Sequence, residues 1–434
     1  MSQVKITKEY LNLFLRRFRQ GADAQLDDAF RLLKNNNLTD AQGLFNKHFK
    51  AKQPTIINSI VREPTVCLGS NGLTVTDHQD ITARVKELVA DNRFDTLPAK
   101  TWLNLGRVVS ACGFIEAGSA CRDHALECVM AEQPRDSLSL INAAQAALET
   151  DNFDRCAGYL KTIRDDKRHA PACALIWKHL EHVAPSYFSA DLQLIENTAC
   201  MRTPSSLMQG ASIALVGPAL IPEDRGSEIE SHDLVARIAY SGIDSIPKGT
   251  GTRADVSFYA GHKVRGLVER HRLDALSELK LLILKHEADI RLLHERGFPL
   301  DRLQSSIGGK ELFYATGPNA GPEMVLNCLN LGARVLSIHN TNLFLSTGYP
   351  MGYVANKTTL QQTSYSYSSP PNEFCWSFSS GHHPAAQFRF YKRLYNVGRI
   401  KGDSQFEKIM EMRTGEYVRE LDLIYGRWAW NAIS

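Results

Sequence analysis

The stretch "SIALVGPALIPEDRGSEIESHDLVARI", residues 212–238, decides the fold class of this chain. An apolar run ends at Gly217, a mostly polar segment follows, and a second apolar run ends at Arg237. Two short β-type runs joined in this way are typical of an α/β sheet. The connection is either an ordinary link between strands or a loop that holds a ligand at the carboxyl edge of the sheet. Gly217 would let a flat group approach the backbone closely, and Gly226 would permit a second tight bend.

The same pattern continues toward the C-terminus. Four more β-type runs follow, "DVSFYA", "LKLLILK", "ELFYATG" and "RVLSIHN", and segments with helical spacing lie between them, including "GHKVRGLVERHR" and "GPEMVLNCLNLG". Strands that alternate with helices predict a doubly wound, mainly parallel, Rossmann-like α/β sheet. We therefore predict an α/β domain over residues 206–434.

The first half of the chain has a different pattern, with apolar residues at helical spacing from residue 1 to about 205. The clearest stretch begins "TWLNLGRVVSACGF" and roughly follows the helix-turn-helix pattern of tetratricopeptide repeats. The residues that match are Trp102, Leu105, Gly106, Ala120 and Ala125. A poorer copy follows it over residues 140–171. We predict a helical, tetratricopeptide-repeat-like domain over 1–205 that either contacts a protein partner or supports the second half.

Composition limits the classes of function. A chain of 434 residues exceeds the size at which one core usually splits, so two domains are expected. The net charge of +3 is too small to indicate binding to nucleic acid or to an anionic membrane. Nine cysteines at irregular spacings, without a C-x-x-C pair, indicate reduced thiols in a cytoplasm. Without a long apolar run or a signal peptide, the protein is expected to reach a membrane only from its inner surface or through a partner.

A second candidate site lies in "ATGPNAGPEMVLNCLNLGARVLSIHN", residues 315–340. A strand is predicted to end at Thr316, and a loop of Gly317, Pro318, Asn319, Ala320 and Gly321 leads into a helix that Gly332 ends. Such a loop presents unpaired N–H groups and the positive end of the helix dipole, which suits a phosphate. It is not a Walker loop, because no Lys-Ser/Thr follows the glycines. A well-capped connection from strand to helix is the alternative.

A third candidate site lies in "SSGHHPAAQFRFYKRLYNVGRIKGD", residues 379–403. Pro384 predicts a helix start and Gly398 its end, which places His382 and His383 at the helix entrance. The helix dipole disfavours imidazolium there, so a neutral ring could act as a general base. Histidines that cap the helix or lie on the surface are the alternative.

Taken together, these stretches resemble the eukaryotic-type sialyltransferase family, whose members use CMP-activated nonulosonic acids. The family's large motif is similar to residues 216–240, where the matching positions are Gly217, Gly226, Ile229, Asp233, Val235 and Arg237. Its small motif resembles "PNAGPEMVLNCLNLGARVLSI", and its very small motif resembles "HHPAAQF", from His382 to Phe388. The segment "GTGTRADVSF" is similar to the family's Gly-x-x-Thr segment, although a plain turn is the alternative there. The resemblance covers roughly residues 210–403.

Several positions depart from the family's pattern. Pro218 and Ala239 replace asparagines of the large motif, and Gln387 replaces a glutamate of the very small motif. Asn319 and Ala320 stand in for a Ser/Thr pair. The family's disulfide to Cys328 is not expected. These departures imply a divergent bacterial member.

The resemblance implies a glycosyltransferase that moves a keto-acid sugar, Kdo or sialic acid, from CMP to the hydroxyl of a glycan or glycolipid. It would invert the anomeric centre, need no cofactor and no metal, and serve capsule or lipopolysaccharide synthesis. His382 would be the base, with His383 as the fallback. The other implied contacts are all to CMP. The loop amides of 317–321 would hold the phosphate, Gly217, Pro218 and Ala219 would line the nucleoside, and Arg237 belongs to the same site. Tyr365 and Tyr367 would donate hydrogen bonds to the leaving phosphate, although a plain Ser/Tyr-rich loop is the alternative there.

Two other classes of function remain open from the sequence. The first is a non-catalytic helical-repeat scaffold whose α/β half binds only a nucleotide or a partner. The second is another Rossmann-like enzyme such as a methyltransferase, although the G-x-G-x-x-G fingerprint is missing.

Overall fold

The computed structural model describes residues 98–185, 206–345 and 381–426, with short gaps, and isolated positions between 79 and 90. The gaps fall at 112–113, 135, 164–165, 167, 220–222 and 270–272. The described residues form two compact units, and the chain passes between them at 125/126, 381/382 and 421/422.

The first unit contains helix α1 (Ala99–Ala111) and the first part of helix α2 (Ile115–Ala131). A Cβ atom on Gly106 would lie 2.7 Å from the carbonyl oxygen of Gly118, so these helices approach closely where both residues lack side chains. Asp422 Oδ1 accepts hydrogen bonds from the N–H groups of Ile115 (2.6 Å) and Glu116 (3.1 Å). A carboxylate thus caps the start of α2.

Three helices of the second unit precede the sheet: α3 (Ser137–Glu149), α4 (Phe153–Ile163) and α5 (Ala170–Val183). Asp136 and Ser139 form a capping box that starts α3. Small buried residues of α3, among them Ala143 and Ala147, let α4 pack closely against it. Helices are therefore observed throughout the described part of the predicted helical half, while its assignment to tetratricopeptide repeats stays a prediction.

A seven-stranded sheet is the centre of the second unit. Its strands are β1 (Ser212–Val216), β2 (Leu234–Ile238), β3 (Val256–Tyr259), β4 (Leu281–Leu284), β5 (Leu303–Ser305), β6 (Val335–His339) and β7 (Ile400–Gly402). Their order is β5-β4-β3-β2-β1-β6-β7, and every pair is parallel. The middle strands are nearly continuous apolar runs because both faces of a parallel sheet are buried. The prediction of a parallel α/β sheet is confirmed, and the strand order is consistent with a Rossmann-like fold.

The remaining helices of this unit lie between or after the strands. They are α6 (Gly226–Glu230), α7 (Gly261–Glu269), α8 (Asp274–Ser277), α9 (Glu287–His294), α10 (Ala320–Asn330), α11 (Pro384–Asn396), α12 (Ser404–Glu411) and α13 (Thr414–Leu421). Helix α10 packs on β1, β2, β3 and β6. A helix that connects parallel strands runs opposite to them, so the first turn of α10 lies at the carboxyl edge of the sheet.

The predicted strand over 311–317 is wrong. Residues Lys310–Leu312 form a 3₁₀ turn, and Ala315 has a φ of 51°, which extended backbone excludes. The N–H of Tyr314 donates to Glu149 Oε2 (3.2 Å) instead of to a neighbouring strand. The apolar side chains of this segment are buried although the segment is not a strand. An apolar run in the sequence does not distinguish these two cases.

Two further expectations need correction. The edge strands β5 and β7 have three residues each and were not predicted. Gly226 begins helix α6 and makes no tight bend. A Cβ there would lie 2.9 Å from the backbone nitrogen of Gly251, so close packing of two backbone segments requires this glycine.

Contacts of α3 place it in the same unit as the sheet. Gln145 Nε2 donates to the carbonyl oxygen of Glu311 (2.9 Å). The buried guanidinium of Arg393, on α11, donates to the carbonyl oxygen of Glu149 (3.5 Å) and to Asp151 (3.3 Å). The predicted domain boundary near residue 206 adjoins residues 186–205, which lie outside the described residues, and it stays a prediction.

Two general properties follow from the described residues. None of their helices is long and apolar enough to cross a bilayer. Cys328 is buried and forms no disulfide, and burial raises the pKa of its thiol to about 12. The thiol is therefore a packing group rather than a reactive one.

Candidate functional site

Strand β1 is the point where the order of the sheet reverses, since β2 to β5 extend on one side of it and β6 and β7 on the other. In open α/β sheets, ligands bind outside the carboxyl ends of the strands near such a point. The predicted site residues that the structure describes fall into two groups at this edge. One lies at the ends of β1 and β2, and the other surrounds the first turn of α10.

The first group forms a pocket at the ends of β1 and β2, hereafter the β1–β2 pocket. It is a small, open pocket lined by residues 216–218, 237–240 and 245–247. Gly217, Pro218 and Arg237 are thus brought together as predicted site residues. Ala219 is buried and does not line this pocket.

The chain itself explains why residue 217 is a glycine. A Cβ there would lie 2.3 Å from Thr341 Oγ1 and 2.5 Å from the carbonyl oxygen of Asn340. The N–H of Ala219 donates to that same carbonyl oxygen (3.0 Å), and Asn340 Nδ2 donates to the carbonyl oxygen of Ala219 (3.2 Å). The end of β1 is therefore fastened to the segment after β6, and a close approach by a ligand is not needed to account for Gly217.

Arg237 fixes the wall of the β1–β2 pocket. It is 5% exposed, and it donates to the carbonyl oxygens of Arg253 (2.9 Å) and Thr250 (2.6 Å) and to Thr250 Oγ1 (3.2 Å). Burial lowers its pKa to about 10, which still leaves it charged at neutral pH. Glu230 accepts the N–H groups of Thr252 and Arg253 from the other side. The segment around residues 250–253 is thus a turn held by these two side chains.

The loop Gly317–Gly321 lies at the start of α10, and two of its four N–H groups are already used. Asn319 is the N-cap and accepts the N–H of Gly321 (3.1 Å), while its own N–H donates to Gln387 Oε1 (3.4 Å). Pro318 has no N–H. Only the amides of Gly317 and Ala320 make no hydrogen bond to the described part of the chain. The loop offers a phosphate two donors and the positive end of the α10 dipole.

The structure brings His382 to this loop. Its Nδ1 lies 3.1 Å from the carbonyl oxygen of Gly317. A carbonyl can only accept, so Nδ1 carries the proton of the neutral ring and Nε2 has the free electron pair. His383 is the N-cap residue of α11, and its N–H donates to Thr316 Oγ1 (3.1 Å). His382 therefore has the geometry of the better base.

The surroundings of His382 keep its ring neutral. Burial lowers the pKa of His382, and the charge of Lys285 lowers it further, while the bond to Gly317 acts in the opposite direction. A neutral His382 ring was predicted from the helix dipole, whereas burial is the largest cause in the structure. Burial and a nearby positive charge both disfavour imidazolium, so the ring is unprotonated at neutral pH and its Nε2 is able to accept a proton.

Two charged side chains that the motifs did not indicate lie in the same cluster. Lys285 directly follows β4, and its Nζ lies 2.9 Å from Oε1 of Glu323, in the first turn of α10. Glu323 is 3% exposed, and burial raises its pKa against the opposing effect of Lys285. The position of a lysine immediately after an apolar strand is the signal that could have found Lys285.

Other predicted site residues have no structural description. Tyr365 and Tyr367 lie outside the described residues. Among those that are described, no group of three or more His, Cys, Asp or Glu side chains is arranged to hold a metal ion. Independence of metal stays a prediction.

Comparison of the chain with models of protein families and with curated proteins found no match. The resemblance of its motifs to sialyltransferases therefore stays a prediction, and the geometry of the site has to support any assignment of function.

Proposed function

We propose that this protein is a glycosyltransferase that uses a CMP-activated keto-acid sugar and a glycan or glycolipid hydroxyl as its acceptor. One observation carries the proposal: His382, held neutral and fixed through Nδ1, lies against the loop at the start of α10. It supports the proposal because a neutral imidazole, which could act as a base, lies next to a loop whose amides could bind a phosphate at the carboxyl edge of a parallel sheet.

In the proposed reaction, Nε2 of His382 removes the proton of the acceptor hydroxyl as its oxygen attacks the anomeric carbon. The bond between that carbon and the phosphate oxygen of CMP breaks, and its electron pair leaves with CMP. The carbonyl oxygen of Gly317 holds the ring in orientation through Nδ1. It also stabilises the imidazolium that forms, because it accepts a hydrogen bond from the charged ring.

The remaining contacts bind the departing nucleotide. The amides of Gly317 and Ala320 and the α10 dipole favour the negative charge that develops on the phosphate. The β1–β2 pocket, with Gly217 and Pro218 on its wall, would hold the nucleoside. Arg237 supports this pocket through the turn at 250–253 rather than through a direct contact with CMP.

The finer parts of the proposal rest on the sequence motifs. The fold would be that of the sialyltransferase family, and the donor CMP-Kdo or CMP-sialic acid, with a slight preference for Kdo. The enzyme would act in the cytoplasm, free or at the inner face of the membrane, in capsule or lipopolysaccharide synthesis. The helical half would contact a protein partner.

Binding of CMP is the direct test of the proposed function. Millimolar CMP is expected to raise the melting temperature by several degrees, because a ligand that binds only the folded state stabilises it. UDP and S-adenosylmethionine are the controls and should have no effect. A screen with CMP-Kdo and CMP-sialic acid, with and without EDTA, should then release CMP. The absence of a shift with any cytidine nucleotide would count against the proposal, and binding without turnover of either donor would favour the non-catalytic scaffold.

The pH dependence of the reaction should show the lowered pKa of His382. The base must be unprotonated, so activity is lost as pH falls through its pKa, and that loss should be centred below the ordinary histidine value of about 6.5. We expect kcat/KM to reach half of its plateau value only below pH 6.5. A profile half-lost at pH 7 or above would contradict the assignment of His382 as the base.

A further inference from the structure

The ion pair of Lys285 and Glu323 is unusually placed for a structural contact. Glu323 is almost fully buried, yet only its Oε1 is engaged, by Lys285 Nζ at 2.9 Å. The other oxygen, Oε2, is buried and accepts no hydrogen bond from the described residues. Lys285 itself has 36% of its side chain exposed. The carboxylate of Glu323 is therefore fixed but only half hydrogen-bonded, while the side chain of Lys285 reaches solvent.

Such an arrangement lowers the free energy of unfolding, so a role other than stability is expected for it. A buried carboxylate with a free oxygen bears a desolvation penalty that one half-exposed ammonium offsets only in part. Incompletely paired charges of this kind are concentrated at binding sites.

The ammonium of Lys285 lies near the loop 317–321, where the phosphate is proposed to bind. Lys285 lies at the carboxyl end of β4 and is close enough to His382 to lower the pKa of its ring. Its partner, Glu323, lies in the first turn of the helix that the loop 317–321 enters. The loop alone supplies two amides, which is a weak site for an anion.

We propose that Lys285 is the cation that binds the phosphate of CMP, and that Glu323 holds its ammonium in place until the nucleotide arrives. This inference rests on the proposed function and assigns the charged partner of that same site. The phosphodiester of a donor carries one negative charge, and the CMP that leaves carries more. An ammonium beside it therefore stabilises the departing group more than the bound donor, which is the requirement for catalysis.

The test compares the affinity of two ligands, CMP and cytidine, which differ only in the phosphate. Isothermal titration should show that the wild-type protein prefers CMP. In Lys285→Met this preference should fall about tenfold or more, the effect of losing one charge-assisted contact, while cytidine binds as before. In Glu323→Gln it should rise about threefold to tenfold, because the amide oxygen of Gln can still hold the ammonium in place but no longer competes with the phosphate as a charge. A purely structural pair would not give changes of opposite sign.

Lys280→Met is the matched control. Lys280 lies at the other end of β4, is half-exposed and pairs with Asp255 at 2.8 Å, so its replacement removes the same charge away from the site. The preference of Lys280→Met for CMP over cytidine should equal that of the wild type. Lys285→Arg should keep most of the preference for CMP. If Lys285→Met does not fold, the single variants Lys285→Arg and Glu323→Gln still provide the test.

The outcomes separate the two proposals. A wild-type preference for CMP that Lys285→Met retains would overturn the role of Lys285 and leave the proposed function standing. A wild-type protein that binds neither ligand would overturn the proposed function and this inference together.

Discussion

His382→Ala should lower the rate of sugar transfer by about 10²- to 10⁴-fold, the usual contribution of a general base. The affinity for CMP should not change, because the ring contacts the loop only through the carbonyl oxygen of Gly317. The effect should therefore appear in kcat and in kcat/KM equally, as expected for an interaction that matters only in the transition state. Single-turnover measurement of CMP release, beside titration with CMP, would separate the two quantities.

Two further histidine variants make this result specific. His294→Ala is the control, since His294 is exposed in the last turn of α9 and accordingly at the opposite edge of the sheet from the site. It should transfer sugar at the wild-type rate. His383→Ala tests the neighbouring residue, which the structure uses as the N-cap of α11. Unchanged turnover in His382→Ala would remove His382 from the role of base, and a loss confined to His383→Ala would transfer the role to that residue.

Arg237→Met should lower the free energy of unfolding by about 2–4 kcal/mol, because it leaves buried carbonyl oxygens without donors. Three donors of the guanidinium bind around the turn at 250–253, two of them to backbone carbonyls of Thr250 and Arg253. Arg237→Lys should be nearly as harmful, since one ammonium does not span acceptors in three directions. Chemical denaturation of the purified variants would measure both losses.

The control for Arg237 is an arginine whose hydrogen bonds lie at the solvent-exposed surface. The guanidinium of Arg413 also donates two hydrogen bonds, both to Oε1 of Glu416, but the Arg413 side chain is 87% exposed. Exposed pairs contribute little to stability, so Arg413→Met should unfold at nearly the wild-type denaturant concentration. If Arg237→Met were as stable as the wild type but bound CMP more weakly, Arg237 would be a ligand contact, as the sequence motif implied, rather than a support of the pocket.

The sheet was largely predictable because its central strands are apolar on both faces. Residues 212–216, 234–238 and 281–284 each read as a short, nearly continuous hydrophobic run, and each is a strand. The segment 311–317 shows the limit of this reasoning. It is as apolar as a strand, but Tyr314 is buried with its amide bound to Glu149, about 165 residues earlier in the sequence.

The candidate site was predictable where local chain chemistry defines it. Pro384 marks a helix start that the structure contains, and it places His382. The loop 317–321 leads into α10 as predicted, although the helix already begins at Ala320 with Asn319 as its N-cap. The position of Lys285 after a strand is visible in the sequence, but its pairing with Glu323 is not. Nor is the contact of Gln387 with Asn319, because the partners are distant in sequence in both cases. Nor could the sequence show that the N–H groups of Asn319 and Gly321 are already used, one by Gln387 and one by the side chain of Asn319.

The amino-acid sequence by itself determined the alternation of strands and helices, the ends of α10 and α11, and the residue types available for acid–base chemistry. These features depend on contacts between residues close along the chain, such as caps and apolar runs. Only the tertiary structure decided that His382 meets Gly317, that Lys285 meets Glu323, and that Arg237 holds a turn. Those pairs form because a parallel sheet brings the carboxyl ends of strands from distant parts of the chain to one edge.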